Sequence, residues 1–146
     1  MNYKNLYLIT ILSLFLYGCG GGGSTSSATA SSTCSSPTVT LSSSASSIYE
    51  SASGTLSIKA TLSCAASENV LVTIGTSGTA TEGTDYSNVS NITITAGSTS
   101  ESTTFDPTSD STYESNNETA TISITGVSGG GASESGNQSV TITINE

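Results

Sequence analysis

From residue 37 onward the apolar residues fall on every second position, the spacing of a strand with one buried face. TLSIKATL aligns Leu56, Ile58, Ala60 and Leu62, and NVLVTIG aligns Val70, Val72 and Ile74. NITIT pairs Ile92 with Ile94, ETATISITG aligns Ala120, Ile122 and Ile124, and SVTITI aligns Val140, Ile142 and Ile144. Shorter runs are TVTLS, with Val39 and Leu41, and STTFD, with Phe105. The intervening positions are mostly Ser and Thr, which tolerate a solvated pleat. Turn clusters separate the runs: Ser53-Gly54, Glu82-Gly83 and the glycines at 129–131. No apolar stripe of helical period follows Tyr17. Six or seven short strands over about 110 residues predict an all-β fold, an antiparallel sandwich of two sheets.

The first 36 residues read differently. Lys4 supplies a positive start, and residues 6–17 (LYLITILSLFLY) are apolar except for Thr10 and Ser13. Twelve helical residues rise about 18 Å, too short for roughly 30 Å of hydrocarbon, but they have the length of a signal-peptide core. Leu16-Tyr17-Gly18-Cys19 then resembles a bacterial lipobox. That resemblance implies a signal peptide over 1–18, cut just before Cys19, whose thiol takes a diacylglyceryl group. The bulky Tyr17 departs from the usual pattern. Gly20, in place of Asp, implies sorting to the outer membrane. Residues 20–36 (GGGGSTSSATASSTCSS) hold no large apolar side chain and cannot build a core. The segment 19–36 is expected to be a tether, and 17 residues of such coil would span roughly 20–25 Å. The folded domain is expected over 37–146.

Composition narrows the chemistry. The chain has 146 residues, 11 acidic, 2 basic and no His, for a formal net charge of −9. After loss of Lys4, Lys59 alone opposes 11 carboxylates, giving −10. Two cations cannot neutralise a phosphate backbone, so nucleic acid is excluded as a partner. Anionic lipid repels such a chain, so acyl chains must hold it at the membrane. Without His or Trp the chain lacks the commonest acid–base catalyst and any indole substrate platform, and no catalytic residues are assigned. The glycine run at 20–23 follows no strand and opens no helix, so it is not a phosphate loop. Four Asn-X-Ser/Thr triplets, at Asn88, Asn91, Asn117 and Asn137, are what chance gives in a chain with 57 Ser and Thr. With Cys19 lipidated, Cys34 and Cys64 remain an even pair. In an exported chain two such thiols form a disulfide as a rule, two free thiols being the alternative.

Three segments together resemble the Calx-beta domain family. Ile48-Tyr49-Glu50-Ser51-Ala52-Ser53-Gly54-Thr55 matches the family's acidic residue and glycine before the second strand. Gly78-Thr79-Ala80-Thr81-Glu82-Gly83-Thr84-Asp85-Tyr86 matches its "GTA..G.DY" segment. Ala96-Gly97-Ser98-Thr99, then Asp110-Ser111-Thr112-Tyr113-Glu114 and Glu118-Thr119, match its third segment and acidic loop. The resemblance covers residues 38–146 and implies an immunoglobulin-like sandwich of about seven strands. In some members loops at one end bind Ca²⁺. The ligands it implies here are Glu50, Asp85, Asp110 and Glu114. Ca²⁺ takes six to eight oxygens at about 2.3–2.6 Å, which loop carboxylates supply. Two departures reduce the expectation to one weak site. Asp110 stands between serines where strong binders carry consecutive Asp, and the last strand ends in Asn145 and Glu146 with no Asp cluster. Against the ligand role stands a structural one, in which Asp85 closes a turn and Tyr86 packs at a corner. Glu118 is expected to be structural or solvated. Glu68, Glu82, Glu101 and Glu134 are expected to be solvated loop charges.

The function expected is therefore a membrane-anchored surface lipoprotein presenting a structural, adhesion or interaction module to a protein or cell-surface partner. The alternative is a calcium-responsive ligand-binding or sensory module. The strand edges carry little charge, so edge pairing with a partner is open to it.

Overall fold

The computed structural model describes residues 34–87, 89–109 and 116–146. Cys19, Asp110 and Glu114 lie outside the described residues.

Ten strands form two five-stranded sheets. They are β1 (Thr38–Ser43), β2 (Ser47–Tyr49), β3 (Leu56–Leu62), β4 (Val70–Gly78), β5 (Tyr86–Ser87), β6 (Ile92–Ile94), β7 (Ser100–Pro107), β8 (Glu118–Ser128), β9 (Ser133–Glu134) and β10 (Ser139–Asn145). The first sheet runs β5-β7-β3-β1-β9 and the second β2-β10-β8-β4-β6. All seven runs of alternating residues are strands, and the architecture is the all-β sandwich expected from them.

Alternation decides which residues meet. Val39 and Leu41 of β1 lie opposite Leu62 and Ala60 of β3, and all four are buried. Ala120 and Ile122 of β8 lie opposite Ile142 and Val140 of β10. Val70 and Val72 of β4 lie opposite Ile94 and Ile92 of β6. The two inner faces close a single apolar layer with Phe105 and Tyr86 at one end. Each fully buried aliphatic side chain there contributes about 1.5–3 kcal/mol of transfer free energy. In β4 the register shifts between Thr73 and Ile74, a bulge, and the Ile74 N–H donates instead to Asn91 Oδ1 at 2.9 Å.

The structure departs from the sequence expectation in three respects. The strands number ten because β2, β5 and β9 are two or three residues long and none pairs two aliphatic residues at alternate positions. The sandwich is not wholly antiparallel, since β1–β9 and β2–β10 are parallel pairs. Glu101 and Glu134 lie on β7 and β9, not on loops.

Candidate functional site

The strands give the molecule two poles. At one, β1 begins and β3 ends, and Cys34 and Cys64 are joined by a disulfide with Cα atoms 6.1 Å apart. At the other, β2, β7 and β10 end and β3, β5 and β8 begin. Glu50 and Asp85 both belong to this second pole. Glu50 follows β2, and its N–H donates to the Asn145 carbonyl at 2.8 Å. Asp85 precedes β5, and its carbonyl accepts from the Thr108 N–H at 2.9 Å, just beyond β7. The two residues thus hang from the outer strands of different sheets.

The turn that carries Asp85 is closed by its own side chain. Asp85 Oδ2 accepts from the Thr81 N–H at 2.6 Å, while the Thr81 carbonyl accepts from the N–H groups of Thr84 and Asp85 at 3.1 and 3.0 Å. A short carboxylate that reaches back along the chain fixes such a turn. The structural role weighed for Asp85 is therefore present.

Beneath the turn, Tyr86 and Phe105 stack with ring centroids 4.6 Å apart and planes 17° from parallel. Both are buried. The Tyr86 phenol is held above its ordinary 10.0, first by burial, then by the negative charges of Glu82 and Asp85, with a hydrogen bond to Thr76 pulling the other way. The Thr76 hydroxyl donates to Glu82 Oε2 at 3.1 Å. Tyr86, Thr76 and Glu82 thereby link β5, β4 and the intervening turn. Glu82, expected to be merely solvated, is exposed but holds this bond.

Other oxygens at this pole come from residues given little weight in the sequence. Glu118, at the start of β8, is partly buried, and its Oε2 is enclosed. Asn117 Nδ2 donates to Asn145 Oδ1 at 2.9 Å, joining the start of β8 to the end of β10. Only the register Ile144–Glu118 brings these residues together, and no motif announces it.

Among the described residues no group of three or more His, Cys, Asp or Glu is gathered as a metal cage. Glu50 and Asp85 offer the hard oxygen donors that Ca²⁺ requires. The other two expected ligands, Asp110 and Glu114, lie outside the described residues.

No family model matches the chain, and no curated protein matches it. Solved structures do. An apo-form Calx CBD1 domain superposes with a TM-score of 0.59 at 18% identity, covering 74% of this chain and 96% of that domain. The fold is Calx-beta-like. CBD12 from CALX1.2 superposes with a TM-score of 0.57 at 20% identity, covering 67% of this chain and 39% of that longer one. At these identities the likeness is one of fold. Within the Calx-beta-like fold, Glu50 and Asp85 lie at the same pole.

Proposed function

We propose that this protein is a lipid-anchored surface lipoprotein, bound to the outer membrane through Cys19, that presents a Calx-beta-like domain as a non-enzymatic contact module. Its acidic pole takes one Ca²⁺ weakly, in the roughly 0.1–1 mM class of extracellular modules. Glu50, Asp85, Asp110 and Glu114 would hold the ion. Bound there, it would neutralise the loop carboxylates and stiffen their loops. Asp85 would offer Oδ1, since Oδ2 is engaged by Thr81.

The observation that carries this reading is the position of Glu50 and Asp85 at one pole, opposite the end where Cys34 lies. A domain held at Cys34 turns that pole outward. Tyr49, 61% exposed beside Glu50, adds an aromatic surface suited to a protein or cell-surface partner.

A thermal melt of the chain in about 5 mM Ca²⁺, with Mg²⁺ as control, tests the ion. A rise in Tm with Ca²⁺ alone, lost in Asp110→Ala, is expected; no rise refutes calcium binding. Labelling with radioactive palmitate tests the anchor. Incorporation should vanish in Cys19→Ala, and wild-type chain that takes no label refutes lipidation.

A further inference from the structure

The two strands nearest the N-terminus are each paired in parallel with a strand from the last third of the chain. β1 lies beside β9, with Thr38 opposite Ser133 and Val39 opposite Glu134. β2 lies beside β10, with Ser47, Ile48 and Tyr49 opposite Thr143, Ile144 and Asn145. Among the described residues every other pairing between these strands is antiparallel. Backbone bonds close both parallel pairs. Ser133 and Ser135 donate to Pro37 and Val39 at 3.1 Å each. Thr143 donates to Ser46 at 2.9 Å, and Glu50 donates to Asn145 at 2.8 Å.

Direction gives these pairs a mechanical meaning. The chain enters at the disulfide pole, and β10 ends at the acidic pole. A pull between those points runs along the strands. It drives β2 one way and β10 the other, so the bonds between them are loaded side by side and must yield together. An antiparallel pair pulled from two ends at one pole opens one bond at a time. Glu118 and Ile144, opposite each other on β8 and β10, are such ends.

The disulfide adds a third element. Cys34 lies just before β1 and Cys64 just after β3. Traction on the tether is therefore divided between two neighbouring strands, and β1 cannot be drawn out past β3.

We infer that the domain is a load-bearing spacer, with the parallel β2–β10 pair as its shear clamp and the Cys34–Cys64 bond as the fitting that spreads force at the tether. The inference relies on the proposed anchoring only for the direction of load.

Single-molecule pulling tests it. The chain is held by handles at its N-terminus and Glu146, then by handles at Asn116 and Glu146, which open β8 from β10. Forced unfolding follows the unfolding rate, and the first geometry should need at least about twofold more force at the same speed. Equal or lower force there overturns the inference.

Reduction should lower the force in the first geometry. It should also lengthen the extension gained by about 100 Å, since the chain between the cysteines, 30 positions apart, is no longer locked. Force unchanged despite that extra length overturns the role given to the disulfide. Ile48→Pro, in the middle of the β2–β10 pairing, should weaken the first geometry and leave the second unchanged. Equal weakening of both overturns the clamp; if that variant does not fold, the wild-type comparison of geometries decides. A chain without lipid at Cys19 refutes the anchor and leaves this result standing. An anchored chain that yields equally in both geometries refutes the spacer alone.

Discussion

The two poles of the sandwich share backbone hydrogen bonds and differ in what is added to them. At the disulfide pole a covalent bond is added to the backbone contacts. Beside the disulfide, the Cys34 N–H donates to the Ala65 carbonyl at 3.0 Å, and the Gly97 N–H donates to Ala66 at 2.9 Å. Ala65 and Ala66 are buried. The glycine turn that closes this pole comes so near that a Cβ on Gly131 (φ 66°) would run into the Ser35 carbonyl. At the acidic pole side chains join the backbone bonds in holding the loops: Asp85 on Thr81, Glu82 on Thr76, Asn117 on Asn145. Backbone contacts of the first kind cannot exchange without unfolding. Side-chain bonds of the second kind can be traded for water, an ion or a partner. The molecule is locked covalently at the disulfide pole and adaptable at the acidic one.

Removing the floor of the acidic pole should have the largest effect. Phe105 is fully buried, and its ring carries Tyr86. Phe105→Ala should cost about 4 kcal/mol, read from denaturant unfolding. A loss under about 1 kcal/mol would show that the aromatic stack does not carry this pole. Cutting the disulfide comes next. Cys34→Ser with Cys64→Ser frees a loop of 30 residues, which in the chain-entropy model costs about 3.5 kcal/mol. Hydrogen exchange should rise first at Leu62 and Ser63, with Tyr86 last to follow. The reverse order would erase the contrast between the poles.

Asp85→Ala should cost less, about 1.5 kcal/mol, because it removes a single charge-assisted bond at a partly exposed turn. It also separates the two uses of that carboxylate. If Asp85 only fixes the turn, the variant melts earlier by the same amount with or without Ca²⁺. If it also binds the ion, the Ca²⁺-dependent rise in Tm disappears as well.

The long strands were legible because burial and period coincide. Ile58 to Leu62 alternate with Lys59 and Thr61, Ala120 to Ile124 with Thr121 and Ser123, and a single-residue slip would turn each apolar set outward. β2, β5 and β9 were not legible because none pairs two aliphatic residues at alternate positions, as β6 does with Ile92 and Ile94. Their existence depends on a neighbour supplied by the rest of the chain, as β10 supplies one for β2. The parallel pairings were hidden for the same reason. At the acidic pole the Asp85-Tyr86 pair was legible as a turn closer followed by a corner aromatic. The Glu82–Thr76 bond and the Asn117–Asn145 contact were not, because each joins segments that only the folded register brings together.

The smallest expected effect is the one that pH resolves. Tyr86→Phe keeps the stack on Phe105 and loses the hydrogen bond with Thr76, so below pH 10 it should cost about 0.5–1 kcal/mol. The native phenol titrates above 10.0, chiefly because it is buried. As pH rises past 10.0, the unfolded chain gives up this proton while the native chain keeps it. The native state then binds more protons than the unfolded one, and stability falls with rising pH. The stabilising share of Tyr86 is thus whole below pH 10.0 and is lost as pH climbs through the native value. Phe cannot titrate, and Lys59 and the other tyrosines are common to both proteins, so their contributions cancel in the difference. The gap in Tm between wild type and Tyr86→Phe should therefore hold steady to about pH 9.5 and narrow above it. Parallel curves up to pH 11 would mean that the phenol meets solvent in the native state. The acidic pole would then be loose down to its aromatic floor, and its adaptability would not be confined to the loops.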